Sequence, residues 1–233
     1  MAKHIGIIAV SPEGAALFYG QLTRHLSKLA PPNDQPRITL HNEPVHAYID
    51  AIRKGDWHAV ARILRRSADI LVAAGAEICV VPDNIVQHAV PLAESGSNLP
   101  WLPMTDLVAR SIEGDRRKTV GVIGTKLVTE SSTYQTPLGI RGIQVLAPTP
   151  QEGELLEQII FGELLYGNIR PESRNAVHDI IGHFARRGCE GVILGCSEAP
   201  LVVTSENSSL PVYDAADILA EQAVRTSLAA VAS

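Results

Sequence analysis

An internal duplication constrains the fold of this chain more than any other feature of its sequence. Three landmarks recur in the same order at nearly constant spacing. They are the segments that begin at Gly6 and Gly121, 115 residues apart, at Gly75 and Gly188, 113 apart, and at Leu99-Pro100 and Leu210-Pro211, 111 apart. Three ordered matches at one spacing indicate a duplicated unit. The sequence therefore predicts two similar lobes, which we place at residues 1–115 and 116–233.

Within each half, short continuous apolar runs alternate with longer amphipathic stretches. This alternation is typical of parallel strands buried on both faces and covered by helices. The predicted helices span Pro12 to Leu29, Trp57 to Ala74, Gln151 to Tyr166 and Glu172 to Arg187. The predicted fold class is α/β, with two pseudo-symmetric lobes that each contain a parallel sheet flanked by helices. The C-terminal helix is a candidate to pack on the first lobe.

Helix signals in the first lobe are specific enough to predict ends and buried faces. Ser11 is a predicted N-cap, with Pro12 at the first helical position. The stripe expected to be buried on this helix is Ala16, Tyr19, Leu22 and Leu26. On the next helix the inward residues are Val60, Ile63, Leu64 and Leu71, and Gly75 is the predicted stop.

Composition excludes several classes of function. The chain of 233 residues has a net charge of -5, which gives no general attraction to nucleic acid or anionic lipid. Its first apolar run, Ile5 to Val10, is too short for a secretory signal, and no run approaches the ~20 residues of a membrane span. The sequence shows no phosphate-binding glycine loop and no metal-ligand motif, so we predict neither a cofactor nor a metal. His88 is expected to be a surface residue.

The cysteines favour a reducing cytoplasm. There are three of them, Cys79, Cys189 and Cys196, and they lack zinc-finger spacing. An odd number without that spacing predicts neither a disulfide framework nor a structural metal site. Cys79 and Cys189 are interpreted as packing residues because they lie away from the predicted strand ends.

Polar residues follow four of the predicted strands. They are Ser11, Asp83-Asn84, Thr125 and Cys196-Ser197. In open α/β sheets, ligands bind beyond the carboxyl ends of the strands, so these residues are candidates for a site in a cleft between the lobes. The duplication gives Asp83 and Cys196 equivalent positions, and we expect them on opposite sides of that cleft.

Two of these strand-end residues carry the chemistry. Cys196 precedes a predicted helix start, where the helix N-terminus would stabilise a thiolate and make it a base or nucleophile. The local sequence around Asp83 favours a turn or helix-cap role. A catalytic role for Asp83 is predicted only because its position is equivalent to that of Cys196. Asn84 and Thr125 are candidate hydrogen-bond donors to a substrate carboxylate, or alternatively helix caps.

Motifs spread over nearly the whole chain carry a family resemblance. They are Gly6-Ile7-Ile8 with Ser11-Pro12-Glu13, Gly55-Asp56-Trp57, Gly75-Ala76-Glu77, Asp83-Asn84, Gly121 to Lys126, Ile159 to Leu164, and Gly195-Cys196-Ser197-Glu198. Together they resemble the cofactor-independent aspartate/glutamate racemases. The resemblance implies two pseudo-symmetric α/β lobes, a cleft site, no pyridoxal phosphate and a homodimer. It also implies a pair of cysteines, one removing the α-proton and the other returning a proton to the opposite face.

The chain departs from the family pattern around the site. Cys196 matches the second cysteine, whereas Asp83 stands where the first is expected. Ile52, Ile85, Gln87 and the Asp214 to Leu219 segment replace other polar family residues, which removes donors that would hold a two-carboxylate substrate. Ordinary Asp and Cys side chains titrate about 4.6 pH units apart. An Asp/Cys pair therefore differs strongly in proton affinity unless burial raises the pKa of the carboxyl.

The sequence therefore predicts an amino-acid racemase that moves a proton at the carbon next to a carboxylate. Its site residues are Cys196 and Asp83 as acid and base, with Ser11, Asn84, Thr125 and Ser197 holding the carboxylate of a small substrate. Two alternatives stay open. One is a one-base lyase, decarboxylase or cis-trans isomerase, since the first thiol is missing. The other is a binding homologue without catalysis, because Ile52, Ile85 and Leu219 make the predicted cleft more apolar.

Overall fold

The computed structural model describes residues 1–229, in which strands and helices alternate. The strands are β1 (Ile5–Ala9), β2 (Ile38–Asn42), β3 (Ile78–Val80), β4 (Thr119–Gly124), β5 (Gln144–Leu146), β6 (Val192–Gly195) and β7 (Val212–Asp214). The helices are α1 (Pro12–Leu29), α2 (Val45–Arg53), α3 (Trp57–Ala73), α4 (Val90–Glu94), α5 (Met104–Gly114), α6 (Lys126–Thr129), α7 (Ser132–Gly139), α8 (Pro150–Gly162), α9 (Pro171–Arg186) and α10 (Ala215–Leu228).

The strands form two parallel sheets. The first has the order β2-β1-β3, and the second has the order β5-β4-β6-β7. A single parallel bridge between Cys79 and Trp101 lies beside β3, where β7 lies beside β6 in the second sheet. The two sheets thus repeat one topology, and the predicted α/β class with two helix-flanked parallel sheets is confirmed.

The sheet registers support the equivalence of the two strand ends. The paired residues are Gly6 with Cys79 in the first sheet and Gly121 with Val192 in the second. Gly6 and Gly121 are duplicates in the sequence, so their partners occupy equivalent positions. Four residues beyond those partners the chain reaches Asp83 in one sheet and Cys196 in the other. Strand pairing therefore matches these two residues independently of the sequence spacing between them.

Helix α1 has the predicted ends but a rotated buried face. Ser11 caps it, because its Oγ accepts a hydrogen bond from Gly14 N–H at 3.1 Å. The predicted stripe is wrong at Ala16 and Tyr19, which are exposed. The buried apolar side chains are Ala15, Phe18, Leu22 and Leu26. This choice buries the large Phe ring and leaves the Tyr hydroxyl in water.

Of the other predicted helices, α3 ends one residue early, α9 is displaced by one residue towards the N-terminus, and α8 is clearly shorter than predicted. In α3 the four predicted inward residues are buried, and Gly75 ends the helix region with a φ of 88°. Helix α8 ends at Gly162, and Leu164 to Tyr166 form a separate 3-10 turn. The break comes at Glu163, whose backbone leaves the helical region at φ -133° and ψ -62°.

The chain divides into two compact units. The first contains Met1–Met104 together with the chain from Leu219 onward, and the second contains Thr105–Ile218. Within the first unit, Ser227 of α10 donates a hydrogen bond from its hydroxyl to Lys3 O at 2.6 Å. The boundary that the sequence predicts at 115/116 stays a prediction.

Glu163 fixes the turn between α8 and α9. Its carboxylate accepts hydrogen bonds from Arg170 N–H at 3.0 Å, from Arg170 Nε at 2.7 Å and from Ser173 Oγ at 2.7 Å. The hydrogen bonds from the Arg170 side chain and backbone lower the pKa of Glu163 to about 2. The charged carboxylate is therefore bound more tightly in the folded chain than in the unfolded one.

Replacing Glu163 by Gln is expected to lower the melting temperature at pH 7 by a few degrees. Because the folded pKa is depressed, this contribution is present above the ordinary pKa of Glu and is lost as the pH falls towards 2. Thermal unfolding of wild type and Glu163→Gln from pH 7 to pH 3 should show that the difference in melting temperature shrinks. Glu154→Gln, at an exposed pair with Lys126, is the matched control. A pH-independent difference would contradict this account.

Candidate active site

All six predicted site residues are buried. They are Ser11, Asp83, Asn84, Thr125, Cys196 and Ser197. Buried polar groups are costly unless they are hydrogen-bonded, so a cluster of them at strand ends requires a structural or functional reason. The structure places the first three in the first unit and the last three in the second.

Asp83 is held by backbone donors at the end of β3. Ser11 N–H donates to its Oδ2 at 3.2 Å, and Ile85 N–H donates to its Oδ1 at 3.1 Å. Both donors favour the charged form of the carboxylate. The structure thus brings together Ser11 and Asp83, two predicted site residues that are 72 positions apart in the sequence.

Gln87 braces the loop that carries Asp83. Its Nε2 donates to Val81 O and to Asp83 O, each at 2.9 Å. Sequence reasoning interpreted this position only as a lost donor. The structure shows instead that the amide is used inside the loop and fixes the backbone on both sides of Pro82. Ile85 packs against the apolar core of the first unit.

Cys196 lies at the end of β6 beside a carboxylate. Its Sγ donates a hydrogen bond to Glu198 Oε2 at 3.1 Å, and both side chains are buried. The predicted helix start after Cys196 is wrong, because only a short 3-10 turn, Ala199–Leu201, follows. The helix-dipole argument for a thiolate therefore fails. A neighbouring carboxylate favours the protonated thiol instead.

Glu198 is the residue that sequence reasoning missed. Its signal was present in the motif Gly195-Cys196-Ser197-Glu198, two positions after the cysteine. The sequence alone did not show that the carboxylate turns back to the thiol. That contact depends on the path of the chain after β6, where a 3-10 turn replaces the expected α-helix.

A small apolar cavity lies against Cys196 within the second unit. Its volume is about 10 Å³, which is no larger than one water molecule. Side chains from β4, α8 and α9 line it, among them Ile123, Leu156, Ile160 and Val177. A water molecule there would find few polar partners, so this side of the thiol is kept dry.

Thr125 stands at the same strand edge as Cys196. Gly124 pairs with Gly195 across the sheet, so the residues that follow them, Thr125 and Cys196, lie side by side in register. The buried Oγ1 of Thr125 has no hydrogen-bond partner within the part of the chain that the structure describes. A ligand oxygen would satisfy this hydroxyl, which makes Thr125 the best-supported of the predicted substrate contacts.

Glycines allow β4 and β6 to approach closely at this edge. A Cβ added to Gly124 would lie 2.7 Å from Gly195 O, which is too close for an unstrained carbon atom. Gly124→Ala is therefore expected to destabilise the fold by about 1–3 kcal/mol through overpacking. The control is Gly139→Ala in α7, where an added Cβ meets nothing within 4 Å. Urea unfolding measures both, and equal midpoints would contradict the prediction.

Other candidate residues have the structural roles that the sequence predicted. Cys79 and Cys189 are buried, and burial raises the pKa of both thiols. His88 is exposed, with its ring centroid 4.9 Å from that of Trp57. Among residues 1–229, no group of three or more His, Cys, Asp or Glu side chains is arranged to hold a metal ion. No helix in that same range is long and apolar enough to cross a membrane.

Comparisons with known proteins agree on one family. The family model described as Asp/Glu/Hydantoin racemase matches residues 7–223. A structure from Yersinia pestis, described as a candidate Asp/Glu racemase, is 30% identical with a TM-score of 0.86 and covers 97% of this chain and 99% of its own. An aspartate racemase homologue from Pyrococcus horikoshii is 27% identical with a TM-score of 0.83, covering 97% of this chain and 99% of its own.

A curated relative matches only in part. Glutamate racemase from Pseudomonas aeruginosa is 28% identical over 139 residues, which are 59% of this chain and 51% of that protein. The match therefore spans about half the length of that relative.

Proposed function

Because the chain belongs to the Asp/Glu/hydantoin racemase family, whose members named above as racemases are isomerases, we propose that it is a cofactor-independent amino-acid racemase. One observation carries the proposal. A buried acid–base side chain stands at each of two equivalent strand ends, Asp83 after β3 and Cys196 after β6. Inversion at an α-carbon needs an acid and a base on opposite faces of a planar carbanion.

The contacts of each group suggest its resting charge. Two N–H donors favour the carboxylate form of Asp83, and the contact with a Glu198 carboxylate favours the thiol form of Cys196. For one enantiomer, Asp83 removes the α-proton and the Cys196 thiol returns a proton to the other face. The opposite enantiomer requires Asp83 protonated and Cys196 as the thiolate, so the two groups exchange roles between half-reactions.

The substrate class that we propose is a small amino acid held by its α-carboxylate. Thr125 supports this because its buried hydroxyl has no hydrogen-bond partner among residues 1–229. We assign Ser11, Asn84 and Ser197 to the same task because they are buried at the corresponding strand ends. Helix and turn N–H groups near these residues would add donors for a carboxylate. A homodimer in a reducing cytoplasm is part of the same proposal.

Proton NMR in heavy water tests the proposal directly. The protein is incubated with L- and D-amino acids and small dicarboxylates, and loss of the α-proton signal is followed with chiral analysis of the product. We expect exchange and inversion for both enantiomers of one compound. Absence of exchange for every compound would reject the racemase proposal.

The second candidate function is a one-base enzyme, such as a lyase, decarboxylase or cis-trans isomerase. It is favoured by the two backbone hydrogen bonds on Asp83, which stabilise the charged carboxylate and weaken it as a base. In that case deuterium enters from one face only, without inversion. A binding homologue is the remaining alternative, and ligands would then raise the melting temperature with no proton exchange.

A further inference from the structure

We propose that Glu198 acts through Cys196, so that the two side chains form a thiol–carboxyl dyad that gives and takes one proton as a unit. This inference rests on the proposed racemase function and deepens it. The contact that carries it is the hydrogen bond from Cys196 Sγ to Glu198 Oε2 at 3.1 Å. Glu198 contacts the thiol through this hydrogen bond, so its proposed role is that of a positioning residue.

The surroundings of the dyad make this contact strong. Both side chains are buried, and the cavity beside the sulfur is lined by apolar residues from β4, α8 and α9. Two carboxylates, one on α8 and one just after it, have their own partners. Glu157 of α8 accepts a hydrogen bond from Lys126 N–H at 2.8 Å, and Glu163 is bound by Arg170. A charge interaction in such a dry site is less screened than one at the surface.

A lone thiol is poorly matched to a carboxylate on the opposite face. Ordinary carboxyls titrate near pH ~4 and thiols near ~8.5, so moving a proton between these two kinds of group is uphill by more than ~4 pH units in one direction. A racemase needs proton transfer in the two directions to have a comparable free-energy cost. The pairing of Asp83 with Cys196 alone does not provide this, and a second carboxyl on the thiol side does.

The dyad removes the mismatch because a proton can pass between its two groups along their hydrogen bond. In the doubly protonated dyad, the S–H bond breaks as the new Cα–H bond forms, and Asp83 receives the proton from the breaking Cα–H bond. The carboxyl proton of Glu198 then moves to sulfur, which leaves a thiol and a carboxylate. In the reverse half-reaction, Glu198 takes the thiol proton and the thiolate takes the α-proton. Net transfer is between two carboxyls, and no oxidant or cofactor is needed.

A pH titration of Cys196 without substrate tests the dyad. Wild type and Glu198→Gln are alkylated with iodoacetamide across a pH series, and modification at Cys196 is quantified by mass spectrometry. The Glu198 carboxylate opposes the thiolate, so the wild-type thiol should titrate at least about one pH unit higher than in Glu198→Gln. Glu198→Asp, which restores the charge, should titrate above Glu198→Gln. Gln keeps the volume and the acceptor oxygen, so a merely structural role predicts no change.

Identical titrations in wild type and Glu198→Gln would overturn the dyad. If the Gln variant does not fold, Glu198→Asp is compared with wild type instead, since the shorter side chain moves the carboxylate away from the thiol. A lower titration midpoint for Cys196 in that variant supports the dyad, and an identical one overturns it.

The alkylation test separates this inference from the proposed function. If Cys196 titrates differently in wild type and Glu198→Gln but no substrate exchanges its α-proton, the dyad is supported and the racemase proposal is rejected. If a substrate exchanges its α-proton but Cys196 titrates identically in the two proteins, the racemase proposal is supported and the dyad is rejected.

Discussion

Replacing Cys196 by Ala is expected to slow α-proton exchange by about 1,000-fold or more, since a positioned acid or base contributes roughly 100- to 10,000-fold. The thiol is buried at this strand end and donates a hydrogen bond to the Glu198 carboxylate. Ala removes the proton donor and leaves the Glu198 carboxylate facing an apolar methyl. Proton NMR in heavy water measures the loss.

Cys189→Ala is the matched control for this variant. Cys189 is also buried in the second unit, but it precedes β6 and lies at the far end of that strand from Cys196. We expect it to keep the wild-type exchange rate. Thermal unfolding of both variants shows whether either loses its fold. Full turnover in Cys196→Ala would exclude the thiol from the chemistry, whatever the substrate.

Local sequence signals were sufficient to predict much of the fold. Ser11 with Pro12 starts α1, and Gly75, with its positive φ, ends the region of α3. These signals act through single residues and their own backbone, so they can be recognised without tertiary information. The buried face of α1 could not be predicted as reliably, because Phe18 and Tyr19 are both large and aromatic. Only packing against the sheet selects Phe18.

The site was predictable in its positions but not in its contacts. The duplication placed Asp83 and Cys196 at matching strand ends, and the sheet registers agree. The partners of these groups depend on how each loop turns after its strand. Gln87 folds back onto the backbone of its own loop, and Glu198 folds back onto Cys196. Neither turn has a sequence signature, because the same residues are equally compatible with a helix start.

The contacts explain why two local interpretations of the sequence failed. Glu198-Ala199-Pro200 resembles the first turn of a helix, with Pro early and an acidic residue before it. The chain instead makes one 3-10 turn there. The environment of Cys196 is therefore set by a side-chain carboxylate and not by a helix dipole. Its expected resting state changes from thiolate to thiol.

Replacing Asp83 by Asn is expected to abolish inversion while leaving part of the proton exchange. Asn has nearly the same shape and can still accept the Ile85 N–H, but it cannot act as a base at neutral pH. A two-base racemase should then lose inversion by roughly 100- to 10,000-fold. The enantiomer whose α-proton faces Cys196 should still exchange with solvent and return with its configuration retained. NMR in heavy water with chiral analysis separates the two rates.

Asp83→Cys is the complementary variant, because it restores the thiol that the family resemblance implies at this position. It should invert both enantiomers, with a pH optimum above that of wild type because a thiol replaces a carboxyl. Thermal unfolding checks that losing the acceptor for Ser11 N–H does not unfold the first unit. If Asp83→Asn instead keeps inversion within about tenfold of wild type, Asp83 is not the second base. Its hydrogen bonds to Ser11 and Ile85 would then be its whole role, and Cys196 with Glu198 would handle every proton from one face.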